Sequence, residues 1–163
     1  MTTLQKRAAA GLRAAMPSNA RALGQIVRDS FFQYVQNFTF TVGTENFQIT
    51  IPVQADAHFI CVATQYDSSL AVGAGGGTVL ASGGSLIQLT DTSAQRFLQS
   101  AQVPISALFG TAQRPYVWPF THLFRANGGI GISITGTAAA GQVQRLVFAG
   151  FKIPVGSIPE LKL

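Results

Sequence analysis

Alternating apolar and polar residues, which begin at Phe38, constrain the fold of this chain more than any other feature of its sequence. The segment FTFTV (38–42) places its Phe and Val side chains on one face and its Thr side chains on the other, and FQITIPV (47–53) repeats the pattern. A period of two is typical of a β-strand with one buried face. Because only residues 43–46 separate the two segments, we expect them to form a hairpin.

More strands are expected along the rest of the chain, where glycine clusters separate short apolar runs. HFICVATQY (58–66) is apolar on both faces and is predicted to be a central strand. Pro115 and Pro119 flank YVW in a strand over 116–124, and since proline donates no backbone hydrogen bond, this strand is expected at an edge or with a bulge. The segment 91–99 is compatible with one helical turn. The other predicted strands are 77–81, 85–90, 103–109, 129–135 and 143–152.

The predicted fold class is all-β, an antiparallel β-sandwich of jelly-roll type with about eight strands. The strands are short, turn signals recur between them, and no long helical pattern is interleaved, which favours a sandwich or a barrel. A jelly roll places its strands in two sheets and leaves few strand edges exposed. We assign residues 37–163 to this domain and residues 1–36 to a basic helical arm that precedes it.

The first 28 residues carry the whole formal net charge of +5. They contain five basic residues and no acid, whereas the remaining 135 residues contain six of each. A helical pattern over residues 3–16 ends at Pro17, and a second one runs to about Phe32 or Tyr34. The basic residues, which we predict to contact a partner or nucleic acid, are Lys6, Arg7, Arg13, Arg21 and Arg28.

Three roles for this arm are compatible with its composition. Docking on a neighbouring subunit would explain it, because helices of this length are marginal in water and need a partner surface. Binding to nucleic acid is the second role, and five phosphate contacts would give a log–log salt slope of roughly −4.5. An organelle transit peptide is also rich in Ala and Arg and poor in acids. We favour the assembly arm, which can also contact packaged nucleic acid.

Charged residues are scarce, at 10% of the chain compared with about 25% in typical soluble domains. Because neutral polar groups cost less to desolvate than ions, we interpret the chain as a subunit whose faces are covered by neighbours. The alternative is an ordinary, weakly charged β-domain.

Cys61 is the only cysteine, so no internal disulfide can form. Neither a secretory h-region nor a run of about 20 mainly apolar residues is present, so no signal peptide and no membrane span are predicted.

No catalytic, cofactor-binding or metal-ligating residue is predicted, and the protein is not expected to be an enzyme. His58 and Cys61 are three residues apart in a predicted strand, which sends their side chains to opposite faces. Asp91 opens the sequence DTS, for which an Asx-turn or a helix cap is the ordinary explanation. One cysteine and two distant histidines are too few for a zinc site. The glycine clusters lack the GK[ST] of a phosphate-binding loop.

The segments VPISALFGTAQRPYVWPFTHLFRANGGIGISITG (103–136) and VQRLVFAGFKIP (143–154) cover about a third of the chain. In them an aromatic–proline run and the motif F-x-A-N lead into an alternating Ile strand and then a last strand. This pattern resembles small structural proteins of bacteriophage virions, and it carries no catalytic signature. The matching residues are Pro104, Phe109, Gly110, Pro115, Pro119, Phe124, Ala126, Asn127, Ile130, Ile132 and Ile134.

The resemblance implies a virion component, such as a minor capsid, decoration or neck protein. Such a protein acts by self-association and by docking on other virion proteins, without a cofactor, in a particle that is assembled in the host cytoplasm. The alternative function is a carbohydrate- or host-receptor-binding β-sandwich module. Its candidate contact residues are Tyr66, Tyr116 and Trp118.

Overall fold

The structure, a computed structural model, describes residues 30–40, 44–70, 85–137 and 142–156. Within these ranges it contains nine β-strands, a single turn of 3₁₀ helix (Ile105–Ala107) and no α-helix. The strands are β1 (Phe31–Thr39), β2 (Thr44–Pro52), β3 (Ala57–Leu70), β4 (Leu86–Asp91), β5 (Arg96–Phe97), β6 (Val103–Pro104), β7 (Tyr116–Phe124), β8 (Gly129–Thr137) and β9 (Gln142–Pro154).

Two antiparallel sheets pack together as a β-sandwich, which confirms the predicted all-β class. The first sheet has the strand order β1-β9-β3-β7. The second has the order β2-β8-β4-β5, and the short β6 also pairs with β4. As predicted, β3 is central, and β7 is an edge strand with a bulge, because the register between the two strands shifts between Cys61 and Ala63. No helix in the described residues is long and apolar enough to cross a bilayer.

The strand pairing is nested along the chain. β1 pairs with β9, β2 with β8, β3 with β7, and β4 with β5. This is the pairing of one long hairpin whose bend lies between β4 and β5. The hairpin is folded over, so that some of its strand pairs lie in the first sheet and the others in the second. Neighbouring strands in the sequence, such as β1 and β2 or β8 and β9, therefore lie in different sheets.

The core lies between the sheets, where the inward face of each strand supplies large apolar side chains. The first sheet contributes mainly phenylalanines, of which Phe59 and Phe124 stack with ring centroids 6.5 Å apart. The second sheet contributes mainly isoleucine and leucine, and the alternation of Ile130, Ile132 and Ile134 onto one face is as predicted. Burial of each such side chain stabilises the fold by roughly 1.5–3 kcal/mol.

The helix predicted to reach Phe32 or Tyr34 is wrong, because these residues belong to β1. Tyr34 and Phe38 are buried in the core, and β1 pairs with β9 along its whole length. Helix propensity in this segment is thus outweighed by tertiary packing of an alternating aromatic face. The structure describes no helical arm. The rest of the predicted arm, residues 1–29, and the predicted strand at 77–81 lie outside the described residues.

The predicted hairpin between the first two strands is also wrong, since β1 and β2 lie in different sheets. A period of two indicates which face of a strand is buried, and it does not specify the partner strand. The strand predicted over 103–109 is limited to Val103–Pro104, after which the chain turns into the 3₁₀ helix. The helical turn predicted within 91–99 is replaced by a turn at 92–95 and the two residues of β5.

Candidate functional site

All five basic residues predicted to contact a partner lie outside the described residues. They are Lys6, Arg7, Arg13, Arg21 and Arg28. Within the described ranges, the strongest concentration of polar chemistry is a cluster around Asp91 and His122. Among the described residues, these two side chains form the sole contact between a carboxylate and a His, Lys or Arg side chain, with 3.0 Å between Asp91 Oδ2 and His122 Nε2. Because Asp91 ends β4 and His122 lies in β7, this pair connects the two sheets.

Asp91 lies on the inward face of β4, in line with the buried Ile87 and Leu89. A buried carboxylate is costly unless its oxygens accept hydrogen bonds. Asp91 Oδ1 accepts from the Ser93 hydroxyl at 2.6 Å and from the backbone N–H groups of Ser93 and Ala94 at 3.0 and 3.3 Å. Both carboxylate oxygens are therefore satisfied, and the bonds to residues 93 and 94 close the Asx-turn expected from the sequence.

The pKa of Asp91 lies below its ordinary value of 3.8. Burial is the largest single influence and raises this pKa, but it is outweighed by the hydrogen bonds from Ser93, His122 and Ala94 and by the attraction of His122. Asp91 is thus ionised at neutral pH, and an ionised carboxylate can only accept. It follows that the Nε2–H group of His122 donates the hydrogen bond that Asp91 Oδ2 accepts.

His122 is held in place by aromatic neighbours in its own strand. Its ring meets Phe124 edge-on with 4.6 Å between centroids, and the Trp118 ring is tilted to it at a centroid distance of 6.5 Å. The bulge in β7 makes this possible, because His122 is opposite Cys61 in the ladder whereas Val117 is opposite Ala63. The extra residues of β7 between these two pairs include Phe120, which is 84% exposed.

His58 contributes to the same end of the sandwich through the turn that joins β7 to β8. His58 Nδ1 accepts a hydrogen bond from the Ala126 backbone N–H at 3.1 Å, so this nitrogen carries no proton. The turn contains Asn127, whose φ of 61° is left-handed, a conformation that asparagine tolerates. It packs on the turn after β4, where a Cβ on Gly128 would lie 2.6 Å from Ser93 Cβ.

The connectivity of the Asp91 cluster differs from that of a hydrolase triad. In a triad the imidazole lies between the serine and the carboxylate, so that it can take the serine proton. Here the carboxylate lies between Ser93 and His122, and the serine hydroxyl is bound to Asp91 itself. The arrangement orients the turn at 92–95 and holds β4 against β7. The cluster therefore acts as a structural brace between the two sheets.

The other candidates for chemistry are kept apart. Cys61 is fully buried in the core, where burial raises the pKa of its thiol. Its thiol donates to Ala63 O, whereas His58 Nδ1 accepts from the Ala126 N–H. This agrees with the prediction that the two side chains lie on opposite faces of one strand. No group of three His, Cys, Asp or Glu side chains that could hold a metal ion occurs in the described part of the chain.

The aromatic residues considered for ligand binding are only partly available. The Trp118 indole N–H donates to Thr64 Oγ1 at 3.0 Å, and both Trp118 and Tyr66 pack against the core. The large apolar side chains that do reach the surface are different ones: Phe31, Val35, Ile49, Leu86, Phe97, Val117, Phe120 and Val155.

Sequence reasoning identified Asp91 only as a turn residue and missed its partner. The available signal was the alternation of Ile87, Leu89 and Asp91, which places an acid at the end of an apolar face. His122 is 31 residues away, and no sequence pattern joins the two.

Comparison with known proteins gives no relative from which to assign a role. No family model, no curated protein and no solved structure matches this chain significantly. Any function must therefore be argued from the residues and the fold.

Proposed function

We propose that this chain is a non-enzymatic structural subunit of a phage virion, such as a minor capsid, decoration or neck protein, with a jelly-roll fold. The observation that carries the proposal is the nested pairing of β1 with β9, β2 with β8, β3 with β7 and β4 with β5. This pairing supports a jelly roll, a fold used by viral capsid domains as well as by lectin domains and cupins.

The surface of the sandwich supports association as the mode of action. Eight large apolar side chains are exposed among the described residues, and charged residues make up 10% of the chain. Typical soluble domains contain about 25% charged residues, and charge on the surface keeps them dispersed. A surface that is both weakly charged and partly apolar is stabilised when copies of the same chain, or other virion proteins, cover it.

The basic segment at residues 1–28 supplies the second kind of contact. Its five positive charges are attracted to an acidic neighbouring subunit or to packaged nucleic acid, while the rest of the chain is neutral overall. We propose that it docks each subunit in the particle, and that Lys6, Arg7, Arg13, Arg21 and Arg28 make this contact.

Native mass measurement and particle imaging of the full chain test the proposal. The expected result is a discrete assembly of several copies, whereas a protein that stays monomeric at high concentration would contradict it. Deletion of residues 2–28 should leave the circular dichroism of the sandwich unchanged and prevent incorporation into the assembly. A matched variant that keeps the length but replaces the five basic residues by Gln separates the effect of charge from that of the segment itself. Incorporation of both variants at the wild-type level would refute the role of the arm.

A further inference from the structure

Outer strands are a hazard for any β-sandwich, because each presents a row of unpaired backbone groups that can pair with another chain. Proteins prevent such pairing by placing prolines, charged residues or bulges in outer strands, or by keeping these strands very short. The outer strands among the described residues are β1 and β7 in the first sheet, and β2, β5 and β6 in the second.

All of these strands except β1 carry such protection. β7 contains Pro119 and a bulge, and β2 contains Glu45 and ends at Pro52. β5 and β6 are each two residues long, and they contain Arg96 and Pro104. β1 has none of these devices. Its sequence FFQYVQNFT has no charged residue and no proline, and its nine-residue ladder with β9 has no register shift. Strand segments with strong β-propensity, low charge and no proline are those that pair most readily between chains.

The hydrogen-bonding pattern shows which groups β1 offers. The Lys152 backbone N–H donates to Ser30 O at 2.9 Å, so Ser30 and Lys152 form a hydrogen-bonded pair of the ladder. Because bonded and non-bonded pairs alternate in an antiparallel ladder, the even-numbered residues of β1 bond to β9. The odd-numbered residues direct their N–H and C=O groups to the free edge: Phe31, Gln33, Val35, Asn37 and Thr39. The only bond to these backbone groups within the described ranges is the one that the Gln36 side chain donates to Asn37 O.

We propose that the free edge of β1 is a self-association surface, on which β1 of a second copy pairs antiparallel across a two-fold axis at Val35. This inference rests on the proposed function, because it names a surface for the self-association argued above. Pairing joins two four-stranded sheets into one continuous sheet. An isologous contact of this kind uses the same patch on both copies.

The register follows from the same pattern. In the described structure, the backbone groups on the outer side of β1 belong to odd-numbered residues, so these must pair with odd-numbered residues of the second copy. An axis at Val35 is the register that pairs all nine residues. It places Val35 opposite Val35, Gln33 opposite Asn37, and Phe31 opposite Thr39.

The second copy is the favoured occupant because β1 is uncharged. In a symmetric pairing each residue near the axis meets its own kind, and like charges directly opposite each other are destabilising. In β1 no such repulsion arises. Val35 is half exposed on the outer surface, so the two copies also bring apolar side chains together at the axis.

Charge variants at the axis test this arrangement in the full-length protein. Val35→Lys and Val35→Glu each place like charges opposite each other, and each should weaken association by at least about tenfold, as measured by sedimentation equilibrium. An equimolar mixture of the two should restore association, because opposite charges then face each other. The matched control is Val117→Lys, which changes an exposed valine on β7, the other edge of the same sheet, and should associate as the wild type does. Circular dichroism checks that each variant is folded.

Each other outcome overturns a defined part of the inference. If the wild type associates and Val35→Lys associates equally well, another segment of the chain or another protein fills the β1 edge, and the inference fails while the proposed function stands. If both variants are weakened but their mixture is not restored, the two-fold register at Val35 is wrong. If the wild type does not self-associate at any concentration, the proposed function fails together with the inference.

Discussion

Replacement of Asp91 by Ala tests whether the cluster between the sheets stabilises the fold. The substitution removes four accepted hydrogen bonds at once, from the Ser93 hydroxyl, the backbone N–H groups of Ser93 and Ala94, and His122. A hydrogen bond to a charged group contributes about 1.5–3 kcal/mol. Ser93 and Ala94 are exposed, so water can replace Asp91 at their backbone groups. Water also reaches the Ser93 hydroxyl, whose bond therefore contributes about 1 kcal/mol. The bond from the partly buried His122 then dominates, and we expect the free energy of unfolding to fall by about 3 kcal/mol.

Urea unfolding provides the assay, with the fluorescence of Trp118 as the probe. Trp118 is the only tryptophan and lies 6.5 Å from His122, so its emission reports on this part of the sandwich. The matched control, Ser93→Ala, removes one of the four bonds, on the solvent-exposed side of the carboxylate, and should cost about 1 kcal/mol. Equal losses for the two variants would show that Asp91 acts only within its own turn and would refute its role as a brace between the sheets.

Two further predictions concern acid and packing. Because the folded pKa of Asp91 lies below 3.8, its ionised form stabilises the fold above that pH, and this contribution is lost as the pH falls through the folded pKa. The free energies of unfolding of the wild type and Asp91→Asn, measured by urea titration, should therefore converge as the pH falls. A difference between them that grows below pH 3.8 would contradict the sign of the pKa shift. Gly150→Ala should destabilise the fold by about 4 kcal/mol or more in the same assay, because the new Cβ would overlap the Ile60 carbonyl oxygen and lie 2.9 Å from Phe59 Cζ. Gly131→Ala, whose Cβ would be 3.0 Å from Thr90 Cβ, should cost clearly less.

The fold class can be predicted from the sequence because the buried face of a strand gives a regular pattern of apolar residues. The alternation of Ile130, Ile132 and Ile134 marks one inward face, and the uniformly apolar run from Phe59 to Ala63 marks a strand with neighbours on both sides. Proline in β7 predicted an edge strand with a bulge for the simple reason that its nitrogen has no hydrogen to donate.

The partner of each strand is a different matter, since alternation is the same whichever strand lies alongside. The residues of β1 and β2 are close in the sequence and have matching patterns, yet their ladders are with β9 and β8. The choice depends on the packing of the whole core, which no short window contains. The contact between Asp91 and His122 is hidden for the same reason, because it exists only once β4 and β7 face each other across the two sheets.

Nested pairing also sets the order in which a growing polypeptide can acquire structure. Phe31 finds its partner at Phe151, about 120 positions later. At synthesis rates of about 5–20 residues per second, that partner emerges from the ribosome some 6–24 s after β1 does. Among the described strands, β4 and β5 form the earliest ladder, which the Asx-turn at Asp91 closes. The other ladders would then be added outward from it. For those seconds the aromatic residues of β1 have no strand to cover them, so a chaperone that binds exposed aromatic segments has a natural client in every nascent copy.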